Sequence, residues 1–235
     1  MAGVRAVRVS AVLPAFNEEA NLAQSVARTV AALSETTSAH EVVVVDDGSR
    51  DGTAELLAAL EGRHPTLRVV THPQNRGYGA ALRSGFAAAR YEWIFMMDAD
   101  NQFDPNEIGM LLAYTAEADI VAGFRRERKD PMVRRLNALA FFTLVRLLFG
   151  RLVRDVNCAF KLMRRELLAG LDLQSNGALI NTEILVLGRR RRARIQEVAV
   201  HHFPRESGKQ TGANPRVVLR AFAELVAFRR RVGRA

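Results

Sequence analysis

Trp93-Ile94-Phe95-Met96-Met97-Asp98-Ala99-Asp100 (WIFMMDAD) decides how this chain is read. Five consecutive apolar residues read as a buried strand, and the run stops at two carboxylates one residue apart. In open α/β sheets ligands gather at the carboxyl ends of the strands. Asp98 and Asp100 are therefore expected to project into a crevice. Two hard oxygen donors at that spacing suit Mg²⁺ or Mn²⁺, which one or two carboxylates hold together with substrate phosphates. The same residues also make an ordinary polar turn after a strand, so the pair acquires meaning only from the segments around it.

Upstream, residues 7–14 read as a first strand running into a turn, and Asn17-Glu18-Glu19 opens a helix over 20–33 with acidic residues in its first turn. Residues 41–45 (EVVVV) form a β-branched run suited to a buried parallel strand. It stops at Asp46-Asp47-Gly48-Ser49, and Asp51-Gly52-Thr53 caps a helix reaching residue 60. A third strand is expected over 67–71, a glycine-rich turn over 75–79 and a helix over 80–90. This alternation implies an α/β fold: a doubly wound, mostly parallel central sheet flanked by helices.

Downstream, residues 119–123 read as a strand and 131–151 as a helix with an apolar face and Arg134, Arg135, Arg146 and Arg151. Residues 155–163 read as strand or extended chain, 182–188 as a helix running into Arg189–Arg192, and 195–201 as a strand. A polar loop over 205–214 precedes a last helix over 215–231, with Pro215 in its first turn. There is no internal repeat and no linker. The simplest organisation is a single domain over 1–235, falling into a first half (7–123), a second half (124–214) and a C-terminal helix (215–235).

The 235 residues carry a net charge of +9, and lysine occurs only at 129, 161 and 209. So basic a chain expects an anionic partner, and arginine favours bidentate phosphate contacts. The single cysteine, Cys158, excludes a disulfide framework within the chain and fits a reducing compartment. The N-terminal residues lack the apolar core of a signal peptide. No stretch reaches the ~18 uncharged apolar residues of a spanning helix. The chain is expected to be cytoplasmic, and either soluble or peripheral on a membrane. One Trp and three Tyr offer no stacking surface for single strands, so no nucleic-acid partner is expected.

Three ordered segments (PAFNEE at 14–19, VVVDDGSRDGT at 43–53, MMDADNQ at 96–102) resemble those of the inverting family-2 glycosyltransferases with the Rossmann-like GT-A fold. Residues 75–81 (NRGYGAA) are similar to the NxGxGxA turn of polyprenyl-phosphate sugar synthases. Gly123-Phe124-Arg125, 154–161 (RDVNCAFK) and 197–200 (EVAV) with Arg205 and Gly208 extend the likeness to about residue 212. The resemblance implies that Pro14, Ala15, Asn17, Glu18 and Asp47 line base and ribose. It implies that Asp98 and Asp100 bind Mg²⁺ or Mn²⁺ with the donor diphosphate, beside Gln102. It places Arg125, Arg134 or Arg135, and Arg205 on the acceptor phosphate or the leaving diphosphate, and Asp155 at the sugar. Phe124 departs from the usual Ser. Asn157-Cys158-Ala159 leans toward the dolichyl-phosphate glucose form, so GDP-mannose is not implied. The role of Lys209 stays open.

The implied reaction moves a hexose from a nucleoside-diphosphate sugar, GDP- or UDP-linked, to polyprenyl phosphate. An ionised phosphomonoester attacks without a dedicated base, whereas a hydroxyl needs one within reach. Only Asp155 and Glu183 qualify as bases, which favours a phosphate acceptor over the alternative, a soluble or lipid hydroxyl. Residues 138–149 are apolar with basic flanks and suit either an anionic membrane surface or a core helix with solvated arginines. His201 and His202 are adjacent on a strand, so their side chains point to opposite faces and do not share a metal. A non-enzymatic basic protein that binds membranes or nucleic acid is the competing class.

Overall fold

The structure is a computed structural model and describes residues 7–126, 132–205 and 215–233, with side chains described outside 132–138 and 215–221. Strand β1 (Arg8–Ala15) leads to helix α1 (Glu19–Thr36), β2 (Ala39–Asp46) to α2 (Thr53–Glu61), and β3 (Leu67–Thr71) to α3 (Tyr78–Ala88). Then follow β4 (Trp93–Met96), a 3-10 turn over Pro105–Glu107, α4 (Ile108–Leu112), β5 (Ile120–Arg125) and α5 (Met132–Phe149). The order ends with β6 (Lys161–Arg164), α6 (Arg165–Ala169), α7 (Ile180–Arg190), β7 (Ile195–Val200) and α8 (Pro215–Val232).

The seven strands form one sheet in the order β3-β2-β1-β4-β6-β5-β7. Every described pairing is parallel except those of β6, which runs antiparallel to both β4 and β5. Reversing twice across β6 restores the direction, so β1, β2, β4, β5 and β7 all end at the same edge. There Ala15 lies opposite Asp46 and Met96 opposite Lys161. The segments after β1, β2, β4, β5 and β7, and the segment before β6, therefore converge on one rim. The chain order reverses between β1 and β4, which opens a crevice between their following loops.

The strand interiors are fully buried, as their continuous apolar runs require: Val42 to Val45 and Ile94 to Met96 have no solvent exposure. At the rim, Phe160 packs edge-on against Phe95 (ring centroids 4.8 Å) and 5.5 Å from Phe103, which in turn meets His202 at 5.1 Å. This aromatic cluster ties β4 to the chain entering β6 and to the segment leaving β7. Two expectations shift. Of residues 155–163, only the end from Lys161 is strand, because the preceding residues turn back over the rim. The helix expected from residue 80 starts at Tyr78. The loop expected over 205–214 lies outside the described residues beyond Arg205.

Candidate active site

Asp98 and Asp100 stand just beyond β4, on the rim where the sheet crevice opens. Burial pushes the Asp98 carboxyl up to about 7, and the charge of Asp100 adds to the effect. Opposing this are the Tyr78 hydroxyl, which donates to Asp98 Oδ1 at 2.9 Å, and the charges of Lys161 and Arg125. Burial also raises Asp100, whose Oδ1 accepts the Gln102 amide at 3.1 Å and whose Oδ2 meets Arg205 Nη1 at 3.4 Å. Gln102 thus braces Asp100 through its backbone, while its side-chain amide donates to the Phe203 carbonyl at 3.0 Å.

The loops after β1 and β2 are zipped together. Asn17 takes the left-handed conformation (φ 55°), which Asn tolerates better than most residues. Its amide donates to Ser49 Oγ at 2.9 Å and its Oδ1 accepts the Arg50 amide at 2.8 Å. The Glu18 amide donates to Thr53 Oγ1 at 3.0 Å, and Asp51 Oδ1 accepts the Thr53 amide at 3.1 Å from one residue before the N-cap of α2, Gly52, which itself makes no side-chain cap bond. Pro14 and Ala15 end β1 alongside Val45 and Asp46. Asp46 Oδ1 accepts the Ser49 amide at 3.0 Å, closing the turn. Asp47 is buried, and its carboxylate accepts the amides of Arg76 (2.9 Å) and Gly77 (2.8 Å) and contacts His72 Nδ1 (2.7 Å). These bonds hold the glycine turn that presents Tyr78.

That turn needs its glycines. Gly77 sits at φ 98°, and a Cβ on Gly77 or Gly79 would collide with the carbonyls of Asn176 or Ser175. The Gly79 amide donates to Asn176 O at 2.8 Å, and Arg83 donates to Ser175 O and to Asn176 Oδ1. Glu183, expected as a candidate base, is fully buried and anchors the other side of this loop. Its carboxylate accepts the amides of Gln174 (3.1 Å) and Ser175 (2.9 Å) and pairs with Arg231 of α8.

Across the rim, Arg125 Nε and Nη2 make a bidentate pair with Asp155 at 2.6 and 2.9 Å. Lys161 is fully buried, with Nζ donating to Asn181 Oδ1 at 2.9 Å, to Val156 O at 3.1 Å and to Cys158 O. Burial lowers its pKa to about 8. Burial pushes the Cys158 thiol up to about 11, consistent with a packed residue rather than a nucleophile. Arg205 lies between Glu18 Oε1 (2.5 Å) and Asp100 Oδ2 (3.4 Å). The side chains of Arg134 and Arg135 lie outside the described residues, as does Lys209. Glu107 accepts the His201 amide at 2.8 Å and lies 2.5 Å from its ring Nδ1, so the two residues are paired.

The expected residues Glu18, Asp98, Asp100 and Arg205 are therefore together, with Arg125 and Asp155 facing them across the rim. Tyr78, Lys161 and Asn181 escaped sequence reading. Lys161 carried a signal, being a lone lysine inside an apolar run of an arginine-rich chain. Tyr78 carried none beyond its place in the glycine turn. Among the described residues no group of three or more His, Cys, Asp or Glu gathers to hold a metal. The Asp98–Asp100 pair fits a divalent cation nonetheless. A buried carboxylate beside a half-buried one, both raised, is an excess of negative charge that a dication relieves, and such ions take their remaining ligands from substrate phosphates and water.

This sheet, with its acidic pair at the end of β4, is an α/β architecture with a ligand crevice at the carboxyl ends of its strands. The profile of Glycosyl transferase family 2 matches residues 10–171, and the chain belongs to that family. The undecaprenyl-phosphate 4-deoxy-4-formamido-L-arabinose transferase of Shewanella sediminis is 36% identical over 205 residues, covering 86% of this chain and 60% of that protein. The Pseudomonas aeruginosa (strain LESB58) protein of the same name is 39% identical over 166 residues, covering 69% of this chain and 49% of that protein. The chain thus spans no more than 60% of the length of these two relatives. Glucosyl-3-phosphoglycerate synthase from Mycobacterium tuberculosis, solved with Mn²⁺, uridine diphosphate and glucosyl-3-phosphoglycerate, superposes with a TM-score of 0.74 at 26% identity. That match covers 94% of this chain and 79% of the other, and the shared architecture is the GT-A fold.

Proposed function

We propose that this chain transfers a hexose, with inversion, from a nucleoside-diphosphate sugar to polyprenyl phosphate in a reaction that requires Mg²⁺ or Mn²⁺. The observation that carries the reading is the meeting of Asp98, Asp100, Glu18 and Arg205 at one rim of the sheet. Mn²⁺ and uridine diphosphate in the solved synthase, and the name of the transferase relatives, support donor and acceptor respectively.

Residues 7–123 would hold the donor: Pro14, Ala15, Asn17 and Glu18 at the base and ribose, with Asp47 fixing the turn beside them. Asp98 and Asp100 would hold the cation, which when bound neutralises charge building on the departing diphosphate. Gln102 keeps Asp100 in place. Residues 124–214 would receive the acceptor, with Arg125, Arg134, Arg135 and Arg205 as cations for its phosphate or for the leaving diphosphate. Asp155 aligns Arg125 through their bidentate pair. Both acidic residues considered as bases for a hydroxyl acceptor are engaged, Asp155 by Arg125 and Glu183 by two amides and Arg231. A phosphate acceptor brings its own ionised nucleophile and needs neither.

No helix among the described residues is long and apolar enough to cross a membrane. The basic flanks of α5 and α8 would bring the rim to a lipid-linked acceptor at the cytoplasmic membrane face. The test is an assay of labelled UDP- and GDP-hexoses with Mn²⁺, offering undecaprenyl phosphate, 3-phosphoglycerate and a simple lipid alcohol in parallel. Metal-dependent label on the polyprenyl phosphate is expected. Label on either hydroxyl acceptor alone would replace the acceptor assignment. Absence of metal-dependent nucleotide binding would return the chain to the class of basic binding proteins.

A further inference from the structure

Arg205 sits in an unusual place for a phosphate-binding arginine. Its side chain is 13% exposed and bridges two carboxylates, Glu18 Oε1 at 2.5 Å and Asp100 Oδ2 at 3.4 Å. The segment that delivers it is stapled to the loop bearing Asp100. The Phe203 amide donates to Gln102 O at 2.8 Å and Gln102 Nε2 donates back to Phe203 O at 3.0 Å. One turn further out, Glu107 accepts the His201 amide at 2.8 Å. Glu18 is fixed from its other oxygen, Oε2, by Asn21 Nδ2 at 2.7 Å. Guanidinium and carboxylates are thus held by three separate elements: the start of α1, the loop after β4 and the segment after β7.

We propose that Arg205 is an internal counter-cation of the Glu18–Asp100 pair that makes binding of a divalent cation conditional on binding of a nucleoside diphosphate. This rests on the donor reading above and goes beyond it, because it assigns Arg205 a role in the site before any substrate is present. A divalent cation arriving alone meets a guanidinium that already occupies Asp100 Oδ2 and repels it. A diphosphate offers the guanidinium a planar, bidentate acceptor in exchange for the carboxylates. Once Arg205 has turned onto the diphosphate, Asp100 Oδ2 would be free to hold a divalent cation, whose charge would screen the diphosphate from the carboxylates. The two ligands then favour each other, and such coupling is reciprocal by thermodynamic necessity. The consequence is a site that does not fill with metal in the absence of donor.

Calorimetric titration of the full chain with MnCl₂ alone, with UDP or GDP alone, and with the nucleotide at saturating MnCl₂ tests this directly. Wild type should show nucleotide-dependent tightening of Mn²⁺ binding by about tenfold or more. Arg205→Gln should bind Mn²⁺ alone about tenfold tighter than wild type, bind the nucleotide alone more weakly, and lose most of the tightening. Arg205→Lys keeps the charge without the fork, so its affinity for Mn²⁺ alone should stay within about twofold of wild type. If wild type binds no diphosphate with Mn²⁺, the donor reading falls and this inference with it. If wild type binds both but Arg205→Gln binds Mn²⁺ alone no tighter, the counter-cation role alone is overturned. It is likewise overturned if Lys and Gln behave alike, since charge is then not the cause. The Lys and wild-type arms stand if the Gln variant fails to fold.

Discussion

At the scale of single residues, the site is built against its own stability. Asp98, half-buried, and Asp100, buried, are neighbouring carboxylates, and desolvation raises the pKa of both. A fold that keeps two such groups ionised without a cation is held back by their desolvation and repulsion, a common trade between stability and activity. Asp98→Asn keeps the shape and removes one charge. It should leave the Tm in metal-free buffer unchanged or raised, while abolishing Mn²⁺-dependent binding of nucleoside diphosphate; thermal scans and calorimetry check the two halves separately. Binding equal to wild type would remove Asp98 from the site. Tyr78 acts one step back. Its hydroxyl orients Asp98 Oδ1 from the first turn of α3, and groups that orient metal ligands typically affect affinity about 10–100-fold. Tyr78→Phe should weaken Mn²⁺–nucleotide binding by about tenfold with little change in Tm. An unaltered affinity would make the hydroxyl merely a packed group satisfied by a convenient neighbour.

At the scale of elements, buried polar groups lock strands to helices at the sheet edge opposite the site. Glu41, on β2, is almost fully buried and accepts hydrogen bonds from Ser10 Oγ of β1 (2.7 Å), the Arg90 amide beyond α3 (2.7 Å) and Arg68 of β3 (3.0 Å). Burial alone would raise its pKa, but these bonds prevail and bring it below the ordinary value of 4.5. A carboxyl with a depressed folded pKa contributes stability that is complete above its unfolded pKa and is lost as pH falls through the folded one. The unfolding free energy of wild type should therefore exceed that of Glu41→Gln at neutral pH, and the gap should narrow as the pH drops below 4.5. Denaturant melts of both proteins at several pH values measure it, and a gap independent of pH would mean the charge contributes nothing. The same elements show what was legible beforehand. The first four strands and the three helices between them were readable from their apolar periodicity, and β2 and β4 also from the aspartates at which their apolar runs stop. Helices α4 and α6 were not, since five residues make too little of a period to register. The reversed direction of β6 is a property of pairing, not of its own four residues. Within the site the acidic pair was legible from its position at a strand end. The Arg125–Asp155 pair and the saturation of Glu183 depend on which loops fold over the rim, and no local pattern encodes that.

At the scale of the whole molecule, the decisive surface is the pair formed by α5 and α8. Phe141 meets Phe222 edge-on at 5.8 Å and Phe149 lies 5.3 Å from Phe228, so one face of each helix is committed to the other. Phe141, Val145 and Phe149 of α5 are core, while Leu139 and Leu147 remain 60% and 77% exposed beside the exposed Arg146. On α8, Val226 is 42% exposed, and Arg229, Arg230 and Arg231 follow in the last turn. Apolar side chains among arginines, on a chain of net charge +9, match the boundary between anionic headgroups and acyl chains. Sedimentation with vesicles of phosphatidylglycerol and phosphatidylcholine should show binding that rises with the anionic fraction and falls with salt. Seating Leu147 in the acyl region contributes about 1.5–3 kcal/mol, so Leu147→Glu should weaken partitioning by about tenfold or more. Because Leu147 supports no packing inside the protein, that variant should keep its Tm and its affinity for metal and nucleotide. It should lose transfer to polyprenyl phosphate in vesicles yet retain transfer to the same acceptor dispersed in detergent. Equal vesicle binding by variant and wild type would detach α5 from the membrane while leaving the chemistry of the rim untouched. Loss of transfer in both media would instead mean that this face belongs to the acceptor site itself.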